Sequence, residues 1–197
     1  MKKVGLYFGT FNPIHIGHLA IANHLVENSD LEEVWLVVTP HNPHKKKKTL
    51  LEDTHRYRMV EIALEDYPKL KASKIEFGLP QPNYTVITLA HLSEKHPNLD
   101  FCLIMGQDNL QSFHKWKNYE MILNQHHIYV YPRIYKDQKK STQNFELENH
   151  KKIHQLDAPI MEISSTFIRN ALKNKKNIQP LLPYNVWLYL DEMNFYK

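Results

Sequence analysis

Cysteine is nearly absent from this 197-residue sequence: Cys102 stands alone. A single thiol excludes an internal disulfide framework and fits a reducing compartment. Long apolar runs are missing too. No stretch approaches the roughly 20 residues that a membrane span requires. Near the start, Asn12-Pro13 cuts the first apolar run too short for a secretory h-region. The expectation is a cytoplasmic protein with no membrane partner. Two phosphate-binding fingerprints are also lacking. There is no GxxxxGK[ST], and no GxGxxG follows the first apolar run, so neither a P-loop nor a dinucleotide-binding turn is predicted. A strong charge imbalance is absent as well. The 25 Lys and Arg against 21 Asp and Glu leave +4, with 13 His counted neutral. That excess suits an anionic ligand as well as a nucleic acid and decides neither.

A chain of this length buries roughly 70% of its unfolded surface and needs no disulfide or metal staple. One domain, 1–197, is expected, with 155–197 as a C-terminal helical part. Apolar patterning alternates between two types of segment. Strands are predicted at 3–8, 33–39, 72–77, 100–106, 127–132 and 159–163. Helices are predicted at 16–28, 53–67, 82–96, 118–125, 165–174 and 183–193, with Asp53 or Thr54 as N-cap of the second. Residues 136–152 are polar and without period, as in a surface loop. The run EVWLVVT (33–39) is apolar throughout, as expected of a strand buried on both faces. The fold class is therefore α/β, a doubly wound parallel sheet with helices on both faces. Ligands in such sheets bind beyond the carboxyl ends of the strands. Three polar turns follow predicted strands and should converge there: 9–18, GQDN (106–109) and SSTFIR (164–169).

The first of these, GTFNPIHIGH (9–18), holds two imidazoles and no carboxylate at the mouth of a helix. A helix N-terminus offers free N–H groups and a partial positive charge, and so attracts phosphate. His15 and His18, three residues apart, share a helix face, so both can reach one polyphosphate, which a carboxylate there would repel. Zinc is a rival ligand, but it needs a third donor. HNPH (41–44) lies near in sequence, yet no cysteine or carboxylate cluster completes a set. A structural role for both histidines is the other alternative. The lysine run HKKKK (44–48) reads either as a solvated loop or as a phosphate-binding loop.

GTFNPIHIGH resembles the T/HxGH signature of the nucleotidylyltransferases, and ISSTFIR (163–169) resembles their second signature, ISSTxIR. The internal stretches PNYTVITL (82–89), MGQDNLQSFHKW (105–116) and PHK (43–45) narrow the resemblance to bacterial nicotinate-nucleotide adenylyltransferases. The likeness spans most of the chain except about 136–155. Two positions depart from the family pattern, Phe8 for a glycine and Asn12 for an aspartate; Asn12 should make the same Asx-type turn.

The resemblance implies a Rossmann-like sheet and adenylyl transfer from ATP to a pyridine mononucleotide. It further implies that His15, His18 and Arg169 act on the phosphates. Gly9, Thr10, Phe11, Gly106, Asp108, Ile163, Ser164, Ser165 and Thr166 would complete the ATP site. Lys45, Tyr84, Thr85, Asp108, Trp116 and Arg133 would hold the mononucleotide. Mg²⁺ would arrive with ATP rather than in a protein cage. ATP and nicotinate mononucleotide are the partners implied, with no nucleic acid; whether the chain forms a homo-oligomer is left open. A sister transferase acting on phosphopantetheine or another phosphorylated acceptor shares both signatures. A basic nucleotide-binding domain without enzymatic activity is the alternative from a different class.

Overall fold

The computed structural model describes residues 1–40, 50–133, 147 and 149–196. Among them six strands make one sheet: β1 (Lys2–Gly9), β2 (Glu33–Val38), β3 (Leu70–Ser73), β4 (Leu99–Gly106), β5 (Ile128–Tyr131) and β6 (Ile153–Gln155). All neighbours are parallel. The order is β3-β2-β1-β4-β5-β6. The chain steps outward one way from β1 and the other way from β4, so the order reverses between them. A crevice opens at such a reversal, beyond the strand ends, here next to Gly9 and Gly106.

The helices are α1 (Ile16–Asn28), α2 (Asp53–Ala63), α3 (Thr85–Lys95), α4 (Gln107–Ser112), α5 (Tyr119–Gln125), α6 (Ser165–Lys173) and α7 (Tyr184–Glu192). The period-2 alternation of each strand sorts adjacent residues to opposite faces. Tyr7, Leu36, Ile104 and Tyr129 pack with Leu25 of α1, Met59 of α2 and Val186 of α7. Their neighbours Leu6, Val37, Leu103 and Val130 pack with Leu89, Leu110 and Ile122 of α3, α4 and α5. Both faces are covered, which is why the strands are apolar throughout rather than alternating. A smaller cluster of Ile168, Leu172, Ile178, Leu182 and Leu190 joins α6 to α7.

Four expectations shift. The predicted strand at 72–77 is β3 at Leu70–Ser73, followed by a 3-10 turn, Ile75–Gly78. Lys74 leaves the extended region there (φ −106°, ψ 23°). The predicted strand at 159–163 is not in the sheet; the edge position belongs to β6, where Ile128 pairs with Ile153. Only Ile153 of β6 is buried, too little signal for a strand pattern. Helix α2 stops at Ala63 rather than 67, with Leu64 as its C-cap (φ −102°, ψ 0°); Pro68 in any case disfavours helical backbone at Tyr67. Asp53 is the first helical residue of α2, with Glu52 at the N-cap. The segment 41–49, which holds Lys45 and the lysine run, lies outside the described residues, as does most of the polar stretch at 136–152.

Candidate active site

The first polar turn is built from the end of β1 outward. Gly9 closes the strand, and Phe11 takes a left-handed conformation (φ 43°). A Cβ on Gly9 would stand 2.8 Å from the Phe11 ring, so this close approach needs glycine. Arg56 of α2, fully buried, anchors the turn from beneath. Its guanidinium donates to the carbonyls of Thr10 (2.5 Å), Thr39 (3.0 Å), Pro40 (3.3 Å) and Leu51 (2.9 Å), and to the Asp53 carboxylate. All five N–H groups are thus used. That is what keeps a buried cation tolerable.

His15 is the N-cap of α1 and His18 its third residue. Their rings stack with centroids 3.7 Å apart and planes 27° from parallel. The backbone N–H of His15 donates to His18 Nδ1 at 3.2 Å, so neutral His18 carries its proton on Nε2. His15 is 4% exposed. Burial, aided by the charge of Arg133, holds its pKa down at about 4, so it is neutral at pH 7. Gly17 makes room for it, since a Cβ there would lie 3.1 Å from His15 Nδ1. The two rings differ in exposure: His15 lies beneath, while His18 is only half-buried.

The second signature reaches the first across 150 residues of sequence. Ser164 caps α6, its Oγ accepting from the Phe167 N–H at 3.2 Å. Ser165 Oγ donates to the Pro13 carbonyl at 2.9 Å. Arg169 donates to the Asn12 carbonyl at 2.7 Å and to Thr166 Oγ1 at 3.2 Å. The N-termini of α1 and α6 are thereby tied together.

One cleft of about 980 Å³ takes in all three predicted turns. Gly9, Thr10, Phe11, His15, His18, Ile163, Ser164, Ser165, Thr166 and Arg169 line it, as do Asp108, Tyr84, Thr85, Trp116 and Arg133. Gly106 sits behind the lining, where a Cβ would collide with Asp108 Oδ1 at 2.5 Å. Asp108 pairs with Arg133 at 3.2 Å in a half-exposed ion pair. Trp116 packs edge-on against Phe113 with centroids 5.5 Å apart, so it is both cleft wall and core margin. Among the described residues no cluster of three or more His, Cys, Asp or Glu is set to hold a metal.

Several cleft residues escaped the sequence reading. Lys117 stands over the Tyr84 ring at 4.3 Å. Tyr7 and Tyr131, at the carboxyl ends of β1 and β5, meet hydroxyl to hydroxyl at 3.3 Å; strand-end position was the available signal for both. Glu76 is buried, and burial raises its pKa. It accepts from Thr88 Oγ1 at 2.8 Å. Its Oε2 and the Oδ1 of nearby Asn83 have no partner among the described residues. Nothing in the local sequence marks a buried acid there.

A family model described as cytidylyltransferase-like matches residues 6–171. A Flavobacterium psychrophilum protein named "Probable nicotinate-nucleotide adenylyltransferase" is 68% identical over 195 residues, covering 99% of each chain. One of the same name from Flavobacterium johnsoniae is 65% identical over 195 residues, again covering 99% of each. Among solved structures, Plasmodium falciparum nicotinic acid mononucleotide adenylyltransferase complexed with NaAD superposes with a TM-score of 0.78. That likeness covers 100% of this chain and 98% of that one at 20% identity, and it bears on the fold.

Proposed function

This chain belongs to the nicotinate-nucleotide adenylyltransferases of the cytidylyltransferase-like family, and on that premise we propose how its cleft joins ATP to nicotinate mononucleotide, giving nicotinate adenine dinucleotide and pyrophosphate for NAD synthesis. The phosphate of the mononucleotide attacks the α-phosphorus of ATP in line. That nucleophile is already an anion, so no general base is required. The protein's work is to position two anions and to neutralise charge as it moves onto the leaving pyrophosphate.

In this reading His18 donates Nε2–H to the oxygens around the reacting phosphorus. His15 stays neutral and fixes the ring above it. Ser164, Ser165 and Thr166 offer donors to the β- and γ-phosphates at the N-terminus of α6, and Arg169 adds a planar cation. Gly9, Thr10, Phe11, Gly106 and Ile163 frame the nucleotide. Asp108 accepts from ribose hydroxyls. Arg133 and Lys45 meet the mononucleotide phosphate, Tyr84 and Thr85 its carboxylate, and Trp116 its ring. A divalent ion, Mg²⁺ in this proposal, enters as part of the ATP complex, with phosphate oxygens among its ligands. No helix among the described residues is long and apolar enough to cross a membrane, and the proposed place of the reaction is the cytoplasm.

One observation carries the reading: Ser165 and Arg169 hold the backbone of Pro13 and Asn12. Two phosphate-seeking helix ends therefore face one cleft. The test is pyrophosphate release from ATP with a panel of acceptors: nicotinate mononucleotide, nicotinamide mononucleotide and phosphopantetheine. Release with the pyridine nucleotides alone supports the assignment; turnover with phosphopantetheine alone overturns it.

A further inference from the structure

The turn that carries the catalytic histidines is held at one more point, from beyond the last helix. Tyr196 follows α7 in a left-handed conformation (φ 64°). Its hydroxyl donates to Asn12 Oδ1. The same Oδ1 accepts from the Leu51 N–H at 3.2 Å, and Asn12 is 3% exposed. One residue thus gathers three remote parts of the chain. Its side chain takes the segment before α2 and the segment after α7, while its backbone carbonyl takes Arg169. The segment after α7 is itself fastened to α2. Tyr189 Oη and His55 Nδ1 lie 2.8 Å apart, and Phe195 packs edge-on to the His55 ring with centroids 4.8 Å apart.

We propose that Tyr196 is a positioning residue for adenylyl transfer: by holding Asn12 it sets the carbonyl on which Arg169 rests, and so the distance between Arg169 and the histidine pair. Three features fit that role better than plain tail packing. The contact is a part-buried hydrogen bond to a buried side chain in the catalytic turn, not an apolar contact with the surface. Asn12 Oδ1 is a neutral acceptor, matched to a neutral phenol. Burial raises the Tyr196 pKa, so the phenol remains a donor throughout the neutral range. Among the described residues the Arg169 guanidinium donates to two acceptors, Asn12 and Thr166, so a shift of Asn12 transfers directly to it. Tyr196 touches neither reacting atom; it acts through Asn12.

The inference rests on the adenylyl-transfer reading above, and the variant Tyr196→Phe tests it by deleting one hydroxyl. The kcat should fall roughly 3- to 10-fold, the scale of one neutral hydrogen bond, with KM for the mononucleotide changed less than twofold. Calorimetric titration with ATP alone should show weaker binding in Tyr196→Phe. That loss should largely vanish when Arg169→Lys is already present, because the two act through one carbonyl. Phe195→Leu serves as the packing control and should lower Tm with kcat within twofold. Unchanged ATP binding in Tyr196→Phe, or a loss that adds in full to that of Arg169→Lys, overturns the proposal. Should Tyr196→Phe fail to fold, the proposal turns on Asn12→Ala, which must weaken ATP binding and lose that effect on the Arg169→Lys background. If the unaltered chain released no pyrophosphate, the functional reading would fall while the titrations still decided the role of Tyr196.

Discussion

His15 and His18 lie face to face, 3.7 Å between ring centroids, with the backbone N–H of one bonded to Nδ1 of the other. Two imidazolium ions could not share that spacing without strong repulsion, and burial removes the charge from His15. The pair therefore works as one upper ring with a defined proton on Nε2 and one lower ring that fixes it. Gly17, between them in sequence, leaves the lower ring its space: a Cβ there would lie 3.1 Å from His15 Nδ1, a tight contact.

His18→Ala removes the donor and leaves the stack without its upper member. By analogy with a lost oxyanion-hole donor, kcat should fall roughly 10²–10³-fold. KM for either substrate should change far less, because the interaction strengthens as charge develops. Steady-state kinetics with both substrates varied gives the split. A kcat within threefold of the unaltered chain would remove His18 from the reacting phosphate.

The buried lower ring makes stability depend on pH. His15 keeps its proton off in the folded state down to about pH 4, whereas the unfolded chain binds one near pH 6.5. Between those values the unfolded state holds more protons, so stability drops as pH falls. The loss amounts to about 3 kcal/mol at the low end, at 1.36 kcal/mol per pH unit. His126 and His154, whose pKa values burial also lowers, add to the same trend. Urea unfolding of the unaltered chain and of His15→Asn at pH 7.0 and 4.5 separates them. The stability gap between the two proteins should narrow by about 2 kcal/mol at the lower pH. A constant gap would assign the acid sensitivity to the other histidines.

Much of this was readable from local pattern. Helix α1 begins and ends where apolar spacing put it, and the central strands declared themselves by continuous apolar runs. Two of the three polar turns meet because a parallel sheet with a reversal in strand order sends the ends of β1 and β4 to one edge; the third, at 164–169, follows no sheet strand and is brought there by the bonds of Ser165 and Arg169 to Pro13 and Asn12. What escaped was decided by partners distant in sequence. Glu76 is buried because Thr88 of α3 supplies a donor, and no pattern around IEFG announces that. Arg56 reads as an ordinary surface cation of a helix until its five acceptors arrive, four from three separate backbone segments and one from Asp53 at the start of its own helix. Helix α4 spans six residues, under two turns, too short for a period. Strand β6 is three residues long and exists because the edge of β5 offers unpaired groups, not because KIHQL favours extension.

Arg169→Lys keeps the charge and loses the planar fork that spans Asn12 and Thr166. A lysine ammonium cannot serve the Asn12 carbonyl and a pyrophosphate together with the same geometry. ATP binding should weaken roughly 10-fold or more, on the scale of a charge-assisted bond. The mononucleotide alone should bind within twofold of its original affinity. Titration calorimetry on each ligand separately measures both, and an equal loss for the two would move Arg169 off the pyrophosphate side.

The choice of pyridine follows from the start of α3. Tyr84 is its N-cap, extended at φ −111° and ψ 131°, and gives no side-chain cap. Its carbonyl takes the Ile87 and Thr88 N–H groups, and the N–H groups of Thr85 and Val86, in the first turn, have no intrahelical partner. Those donors suit a carboxylate, which accepts at both oxygens. A carboxamide turns an NH₂ toward one of them, leaving a donor unpaired at about 1–3 kcal/mol if buried. The helix end adds about 0.3–1 kcal/mol in favour of the anion. Lys117 over the Tyr84 ring works in the same direction. Asn83 Oδ1 and Glu76 Oε2 are acceptors and would favour an amide; their residues border the same cleft as Tyr84 and Thr85, but these two atoms are shut off from solvent. The donors should therefore prevail, and nicotinate mononucleotide should exceed nicotinamide mononucleotide in kcat/KM by roughly 10- to 10³-fold. Because the reading groups are backbone, Thr85→Ala should erode that ratio only in part. Trp116→Ala, which removes the ring's stacking surface from the cleft wall, should weaken both mononucleotides together and leave the ratio standing. Parallel kcat/KM measurements on the two substrates decide it: equal values, or a preference for the amide, would mean that the turn at 83–86 does not read the carboxylate.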